Sequence, residues 1–312
     1  MTDVKPTRLI SSPRILHGRN PFDAPKECDL LRPVRPELPN YSETMYFGIC
    51  DRHQPGLGMF LHTGRLWGDL DMWWTRNIIF LPGGEAIMDR NFGRAPDNRG
   101  PASGNSRYLC VEEHRRWKLT YDGAAERTTR EQSATALVGA GPVTPAGFDL
   151  DLEAVTPIWD MEGALGIAET DPDLTVWAHG HQQQAFLATG SVRVGDETWE
   201  FDGVANRDHS WGTRDMAHYG GHAFASVIFP ESRRLVMGMT MFDRSGQPSL
   251  QVGYTAEGDT MELFGDYEIP WAIDSYSNPR TDLEFSFRRT DGSKVRMTGE
   301  GNLQHVGAGS TR

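Results

Sequence analysis

The chemistry-bearing side chains of this chain concentrate in the run Asn206-Arg207-Asp208-His209-Ser210-Trp211-Gly212-Thr213-Arg214-Asp215, which follows an apolar hairpin. Folding alone does not require two arginines, two aspartates, a histidine and a tryptophan so close together, and functional residues gather where a rigid scaffold presents them. Two readings stand: a surface loop tied by Arg–Asp pairs, and an acid–base site. In the second, Asp208 is the acid, because a desolvated carboxyl group can stay protonated near neutral pH and protonate an unactivated alkene. The faces of Trp211, Trp199 and Tyr219 would then steady the cation by roughly 0.5–2 kcal/mol each. Arg207 beside Asp208 works against this by favouring the carboxylate. In an extended strand, however, alternation sends Arg207 and His209 to one face and Asp208 and Ser210 to the other. His209 could position water or take up a proton, or serve as a hydrogen-bonded structural residue. Trp199 alternates with Phe201 and reads first as a core anchor.

A second unusual run, Trp67-Gly68-Asp69-Leu70-Asp71-Met72-Trp73-Trp74, sets two carboxylates among three tryptophans. Core packing explains it most simply, yet Asp71 with Trp73 and Trp74 would also suit an apolar pocket with an acid, or a sugar platform. His179, His181, His209, His218 and His222 share one region, and His179-x-His181 on a strand would put both rings on one face. No Glu or Asp at zincin spacing accompanies them, so no metal is expected. Pro82-Gly83-Gly84 and Gly220-Gly221 read as turns, and neither a G-x-G-x-x-G nor a Walker pattern is present, so no cofactor is expected either.

The elements that must hold these residues read as strands. Ile78 and Phe80, the turn Pro82-Gly83-Gly84, then Ala86 and Met88 form a hairpin signal. Trp117, Leu119 and Tyr121 alternate with polar residues before Asp122-Gly123, which reads as a turn, and Phe148, Leu150 and Leu152 alternate with acids. Further hairpins are Val192 and Val194, Gly195-Asp196, Trp199 and Phe201, and later Leu283, Phe285 and Phe287, Asp291-Gly292, Val295 and Met297. Leu235, Met237, Met239 and Met241 make another strand face. Helical periodicity is weak everywhere, with 123–137 and 160–170 the best candidates. Many short strands with turns between them predict an all-β fold of antiparallel barrels or sandwiches with few short helices, and such barrels can enclose one small apolar ligand.

Length and composition agree. A chain of 312 residues with 34 Gly, 19 Pro and 9 Trp fits two β domains. Seven prolines before residue 41 leave residues 1–40 as an extended arm wrapping the first domain, and the best boundary after that is near 165, giving domains over 41–165 and 166–312. A net charge of -12 argues against nucleic acid and anionic membrane as partners. No apolar run is long enough for a signal peptide or a membrane span, so a cytoplasmic location is expected. Cys28, Cys50 and Cys110 lack metal or disulfide spacing and should be reduced and buried. A homodimer stays open.

His181-Gln182-Gln183-Gln184, Thr189-Gly190-Ser191-Val192, Trp199-Glu200-Phe201-Asp202-Gly203 and Arg207-Asp208-His209-Ser210-Trp211-Gly212 together resemble the core pattern of the carotenoid 1,2-hydratase (hydroxyneurosporene synthase) superfamily and its lipocalin-like Diels-Alderase relatives. Tyr46-Phe47-Gly48 and Gly56-Leu57-Gly58-Met59-Phe60-Leu61 are similar to the family's first domain. The resemblance implies two lipocalin-like domains, a largely apolar pocket, and chemistry on polyene or terpenoid-like substrates, with Asp208 carried over as the acid. The expected function is a cofactor-independent acid–base enzyme that hydrates, dehydrates, isomerises or cyclises an apolar unsaturated molecule. In it Asp208, His209 and Arg207 are catalytic, and Trp211, Arg214, Tyr219, His181, Trp199, Trp73, Trp74 and Asp71 bind substrate. The competing expectations are a lipocalin-like carrier of a hydrophobic ligand and a sugar-binding β protein using the tryptophan cluster.

Overall fold

In the computed structural model the strands, in chain order, are β1 (Arg8–Leu9), β2 (Arg14–His17), β3 (Tyr41–Asp51), β4 (Gly58–Leu66), β5 (Asp69–Phe80), β6 (Ala86–Arg94), β7 (Ser106–Glu112), β8 (Arg116–Thr128), β9 (Val143–Ala154), β10 (Trp159–Asp160), β11 (Gly180–Val194) and β12 (Glu197–Thr213). There follow β13 (Tyr219–Phe229), β14 (Arg234–Asp243), β15 (Pro248–Glu257), β16 (Thr260–Phe264), β17 (Tyr267–Glu268), β18 (Asp282–Arg288) and β19 (Lys294–Glu300). The structure describes residues 8–9, 13–129, 132, 141–166, 178–214, 219–265, 267–268 and 282–300.

Two compact units emerge. The barrel unit is formed by the described residues of Pro25–Ala154 and Gln183–Trp211, and the sandwich unit by those of Met1–Ala24, Val155–Gln182 and Gly212–Gly301. In the barrel unit the ladder runs β11-β12-β3-β4-β5-β6-β8, and β9 pairs with both β8 and β11, which closes an eight-stranded antiparallel barrel with β7 appended to β8. Period-two alternation explains the closure: Met45, Phe47 and Ile49 of β3, Met59 and Leu61 of β4, Trp117, Leu119 and Tyr121 of β8, and Phe148, Leu150 and Leu152 of β9 all point inward and pack into one core. Those side chains fill the barrel axis. In the sandwich unit one sheet runs β13-β14-β15-β16-β2 and a second runs β17-β18-β19. Phe264 stacks on Phe287 at 4.4 Å, and Phe285 and Tyr267 pack in the same cluster.

The all-β, antiparallel architecture is as the alternation predicts, with local corrections. The hairpin at Pro82-Gly83-Gly84 forms, but Ile79 and Ile87 fill the core while Ile78 and Phe80 sit on the opposite face. Asp122-Gly123 is no turn, because β8 continues to Thr128 and pairs with β9 from Arg116 to Glu126. The helix candidate 123–137 is therefore strand over 123–128, and its remainder lies outside the described residues except for 129 and 132. Over 160–170 a short helix, α1 (Met161–Leu165), does form, capped by Asp160 accepting from the Gly163 N–H. Cys28 and Cys110 are buried, but Cys50 is exposed, since the even positions of β3 face outward. Among the described residues no helix is long and apolar enough to cross a membrane.

Candidate active site

Residues 206–213 form no loop: they are the second half of β12, which continues the inward alternation of Phe201 and Ala205. Arg207, His209 and Trp211 therefore follow Ala205 along the inner face, where a layer of buried charge succeeds the apolar core. Arg207 is fully buried, donates through Nη1 to Asp29 Oδ1, and lies 5.2 Å above the Trp117 ring. Burial alone would raise the Asp29 carboxyl, but the Arg207 charge and the His114 backbone N–H hold it below the usual carboxylate range. His209 Nδ1 lies 3.1 Å from the Cys28 carbonyl oxygen and Nε2 lies 3.0 Å from Glu43 Oε1. A carbonyl can only accept, so Nδ1 donates; with Glu43 ionised, Nε2 is a second donor.

Glu43 is held ionised by the company it keeps. Burial would raise its carboxyl, yet the His209 hydrogen bond and charge, the Arg65 charge and the Arg32 backbone N–H lower it. Arg65 Nε donates to Glu43 Oε2 at 2.8 Å and its two remaining nitrogens donate to the Leu70 and Arg32 carbonyls. The Arg65 guanidinium covers buried Trp73 at 4.7 Å, and that of Arg32 covers Trp211 at 4.8 Å. This inner network links Arg207, His209, Trp211 and Trp73 among the residues singled out.

Asp208 points the other way. The Arg52 N–H donates to the Asp202 carbonyl, and Thr44 Oγ1 lies 2.9 Å from Ser210 Oγ. Both pairings fit one antiparallel register, which sets Tyr46 of β3 opposite Asp208. Tyr46 in turn pairs with His62 of β4, His62 with Arg76 of β5, and Arg76 with Arg90 of β6. One transverse row on the outer face thus reads Asp208, Tyr46, His62, Arg76, Arg90. Half-buried Asp208 accepts from Gln183 Nε2 at 3.3 Å. The Tyr46 hydroxyl is pushed far above its ordinary value by burial, with the charges of Cys50 and Asp208 adding to it, so it remains a neutral phenol.

Aromatic rings pave this face. Tyr46 and Phe60 lie 4.9 Å apart, His62 meets Trp74 edge-on at 4.9 Å, and the Arg76 guanidinium sits 5.0 Å from the Phe60 ring centre. Two glycines let the rings lie flat on the sheet. A Cβ at Gly48 would come within 2.3 Å of the Tyr46 hydroxyl, and one at Gly64 within 2.8 Å of the Trp74 ring. Only a residue without a side chain fits under each ring.

The other expected site residues are dispersed. In the barrel unit, Trp199 packs against the core cluster and Asp71 is exposed. In the sandwich unit, His181 is buried with its ring 5.7 Å from that of Trp159, and His179 Nδ1 accepts from the Thr213 N–H at 3.1 Å. Arg214 is buried there too, and half-buried Tyr219 meets His222 Nδ1 through its hydroxyl. Burial pushes Tyr219 up to about 12, against a lowering by Arg214. Asp215 and His218 lie outside the described residues. Among the described residues no three of His, Cys, Asp and Glu converge on one point. A polar cavity of about 370 Å³, lined by residues such as Arg94, Asn105 and Arg107, holds none of the residues singled out.

Sequence reasoning missed Asp29, Glu43, Phe60, His62, Arg76 and Gln183 as members of these two faces. Tyr46, Gly48, Phe60 and Gln183 lie within motifs already noted, and alternation puts Tyr46 and Gly48 on one face, so a signal existed for them. Asp29 and Glu43 carry none, because Arg207 and His209, which they meet, are more than 160 positions away in the chain.

Residues 26–307 match the model of a family described as a domain of unknown function, DUF7064. Among curated proteins none matches. Solved structures with a similar course include kievitone hydratase from Nectria haematococca, at 13% identity over 91% of this chain and 82% of that one, with a TM-score of 0.47. A putative AttH from Nitrosomonas europaea shares 11% identity over 85% of this chain and 92% of that one, with a TM-score of 0.45. CghA shares 10% over 92% and 84%, with a TM-score of 0.44.

Proposed function

Starting from a chain that belongs to the DUF7064 family, we propose a cofactor-independent acid–base enzyme acting on an apolar, unsaturated small molecule, with Asp208 as the group that gives and takes the proton. The observation that carries this reading is the placement of Asp208 at the end of a row paved with Tyr46, Phe60, His62 and Trp74, on the face of β12 opposite Arg207. The resemblance of the Arg207–Gly212 motif to the carotenoid 1,2-hydratases supports the same chemistry.

A flat polyene or terpenoid-like body lies against the aromatic rings. Asp208 passes its proton to an alkene carbon, the resulting cation is stabilised by the ring faces, and either water or a neighbouring double bond captures it. Loss of a proton to the Asp208 carboxylate restores the starting state; in reverse, the same steps dehydrate. Gln183 fixes one carboxyl oxygen and so the direction in which the other transfers its proton. Arg207 and His209 act as positioning residues that anchor β12 from within. His181, Arg214 and Tyr219 have no assigned step in this mechanism.

The test is a mass-spectrometric screen of the protein against terpenoid alcohols, polyenes and aromatic alkenes in deuterated water, beside Asp208→Asn. Deuterium at carbon, or a mass change of one water, should occur with the unmutated chain and fall at least 100-fold in the variant. Retention of unchanged ligand by both would make the aromatic face that of a carrier, and undiminished turnover in Asp208→Asn would remove Asp208 from the mechanism.

A further inference from the structure

The row that begins at Asp208 ends on two arginines. Arg76 and Arg90 occupy directly opposed positions on β5 and β6, so their side chains leave the sheet on the same face. Neither side chain forms an ion pair or a hydrogen bond with any described residue, and Arg76 Nε is buried without a partner among them. The chain carries 43 acidic side chains against 31 basic ones, and elsewhere in the barrel unit arginines such as Arg52, Arg94, Arg127 and Arg193 each meet a carboxylate. Opposed like charges are unfavourable across a strand pair, and a half-buried guanidinium with an unused N–H costs more. Burial and the Arg90 charge both weaken the hold of Arg76 on its proton, the direction expected where an anion is missing.

We propose that Arg76 and Arg90 form an anion-binding subsite, and that the substrate is a flat unsaturated acid whose carboxylate or enolate head sits between them while its body crosses the aromatic face toward Asp208. The inference rests on the proposed reading of that face as the substrate site. Strands stand ~4.8 Å apart, so about 14 Å separates the strand of Asp208 from that of Arg76. A molecule of two or three fused rings, or a short polyene, spans that distance. Arg76 contributes direction as well as charge, because its guanidinium already lies over Phe60 and can offer its in-plane N–H groups to an oxyanion at the ring edge. The subsite thus selects acids from neutral terpenoids of equal size and fixes which end of the substrate meets Asp208.

The experiment uses the full chain and two fluorescent probes of similar shape, the anion 8-anilinonaphthalene-1-sulfonate and the neutral N-phenyl-1-naphthylamine. The anion should bind at least tenfold more tightly, with an affinity that falls as salt rises. Arg76→Gln and Arg90→Gln should each weaken it about fivefold to tenfold while leaving the neutral probe within twofold, and Arg76→Lys should restore part of the loss. Binding of the neutral probe reports that each variant is folded, and Arg90 is exposed, so its substitution leaves packing intact. Equal affinity for the two probes, or an anion affinity indifferent to both substitutions, overturns the proposal. Turnover does not enter this readout. If Asp208→Asn retains full activity while the two arginines still select the anion, the acid assignment fails and the subsite stands.

Discussion

On the inner face of β12, Arg207 meets Asp29 and His209 meets Glu43, all four at 0% exposure. On the outer face, the row that starts one residue away at Asp208 runs out to Arg76 opposed by Arg90, with no carboxylate between them. The same short motif serves both faces because a strand sends neighbours in opposite directions. Buried charge is tolerable when each ion meets an opposite one, which the inner layer achieves with acids from distant segments, although Arg207 Nε and Nη2 make no hydrogen bond among the described residues. Among the described residues the two arginines of the outer row have no opposite charge, and groups left uncompensated in this way are where a ligand supplies the missing partner.

The largest effect expected from breaking this comparison is on the inner side. Asp29→Ala leaves Arg207 charged, buried and unpaired, and should cost about 3–5 kcal/mol of unfolding free energy, read as a shift of the urea midpoint. Asp208→Asn, on the outer side, should move the same midpoint by less than about 0.5 kcal/mol. An equal loss in both would mean that the two faces do not differ in the way charge is held.

A second effect follows from acid. The Glu43 and Asp29 carboxyls are held below their ordinary values of 4.5 and 3.8, so the folded chain binds fewer protons than the unfolded one near those values. Their contribution is complete above about pH 5 and is lost as pH falls through 4.5 and 3.8 toward the lowered folded values. Denaturant midpoints taken between pH 6 and pH 3 should therefore fall with pH, and Glu43→Gln, less stable at neutral pH, should show a shallower fall. A parallel fall in the variant would remove Glu43 as a source of the acid sensitivity.

What the sequence disclosed of this arrangement was its periodicity. Alternation of Trp117, Leu119 and Tyr121, and of Phe148, Leu150 and Leu152, is enough to predict inward-facing strands, since one buried face is all a barrel asks of each strand. It also predicts that Asp208 and Arg207 part company if residue 208 lies on a strand. Asp122-Gly123 misled because a Gly after an Asp signals a turn only when nothing else pairs with the chain there, and β9 continues to pair past it. Glu43 was illegible for a different reason: a lone acid in a strand reads as solvent-facing, and only the pairing of β3 with β4 and β12 brings Arg65 and His209 around it. The row from Asp208 to Arg90 needed the register across five strands, information that local spacing does not contain.

The smallest expected effect has the opposite sign. Arg76→Met keeps an unbranched apolar stem over the Phe60 ring, where a thioether makes favourable contacts of its own. It removes a half-buried cation, an N–H without a partner and the repulsion from Arg90. Against this stands the lost cation–π contact, roughly 0.5–1 kcal/mol at a site of this exposure, while an unsatisfied polar group costs about 1–3 kcal/mol. The balance favours the variant by up to about 1 kcal/mol, measurable as a small rise in the denaturant midpoint. Gaining stability while losing anion selectivity is the mark of a residue kept for a ligand and not for the fold. A fall of more than about 1 kcal/mol would instead show that the guanidinium holds the outer face together, as Arg65 and Arg207 hold the inner one.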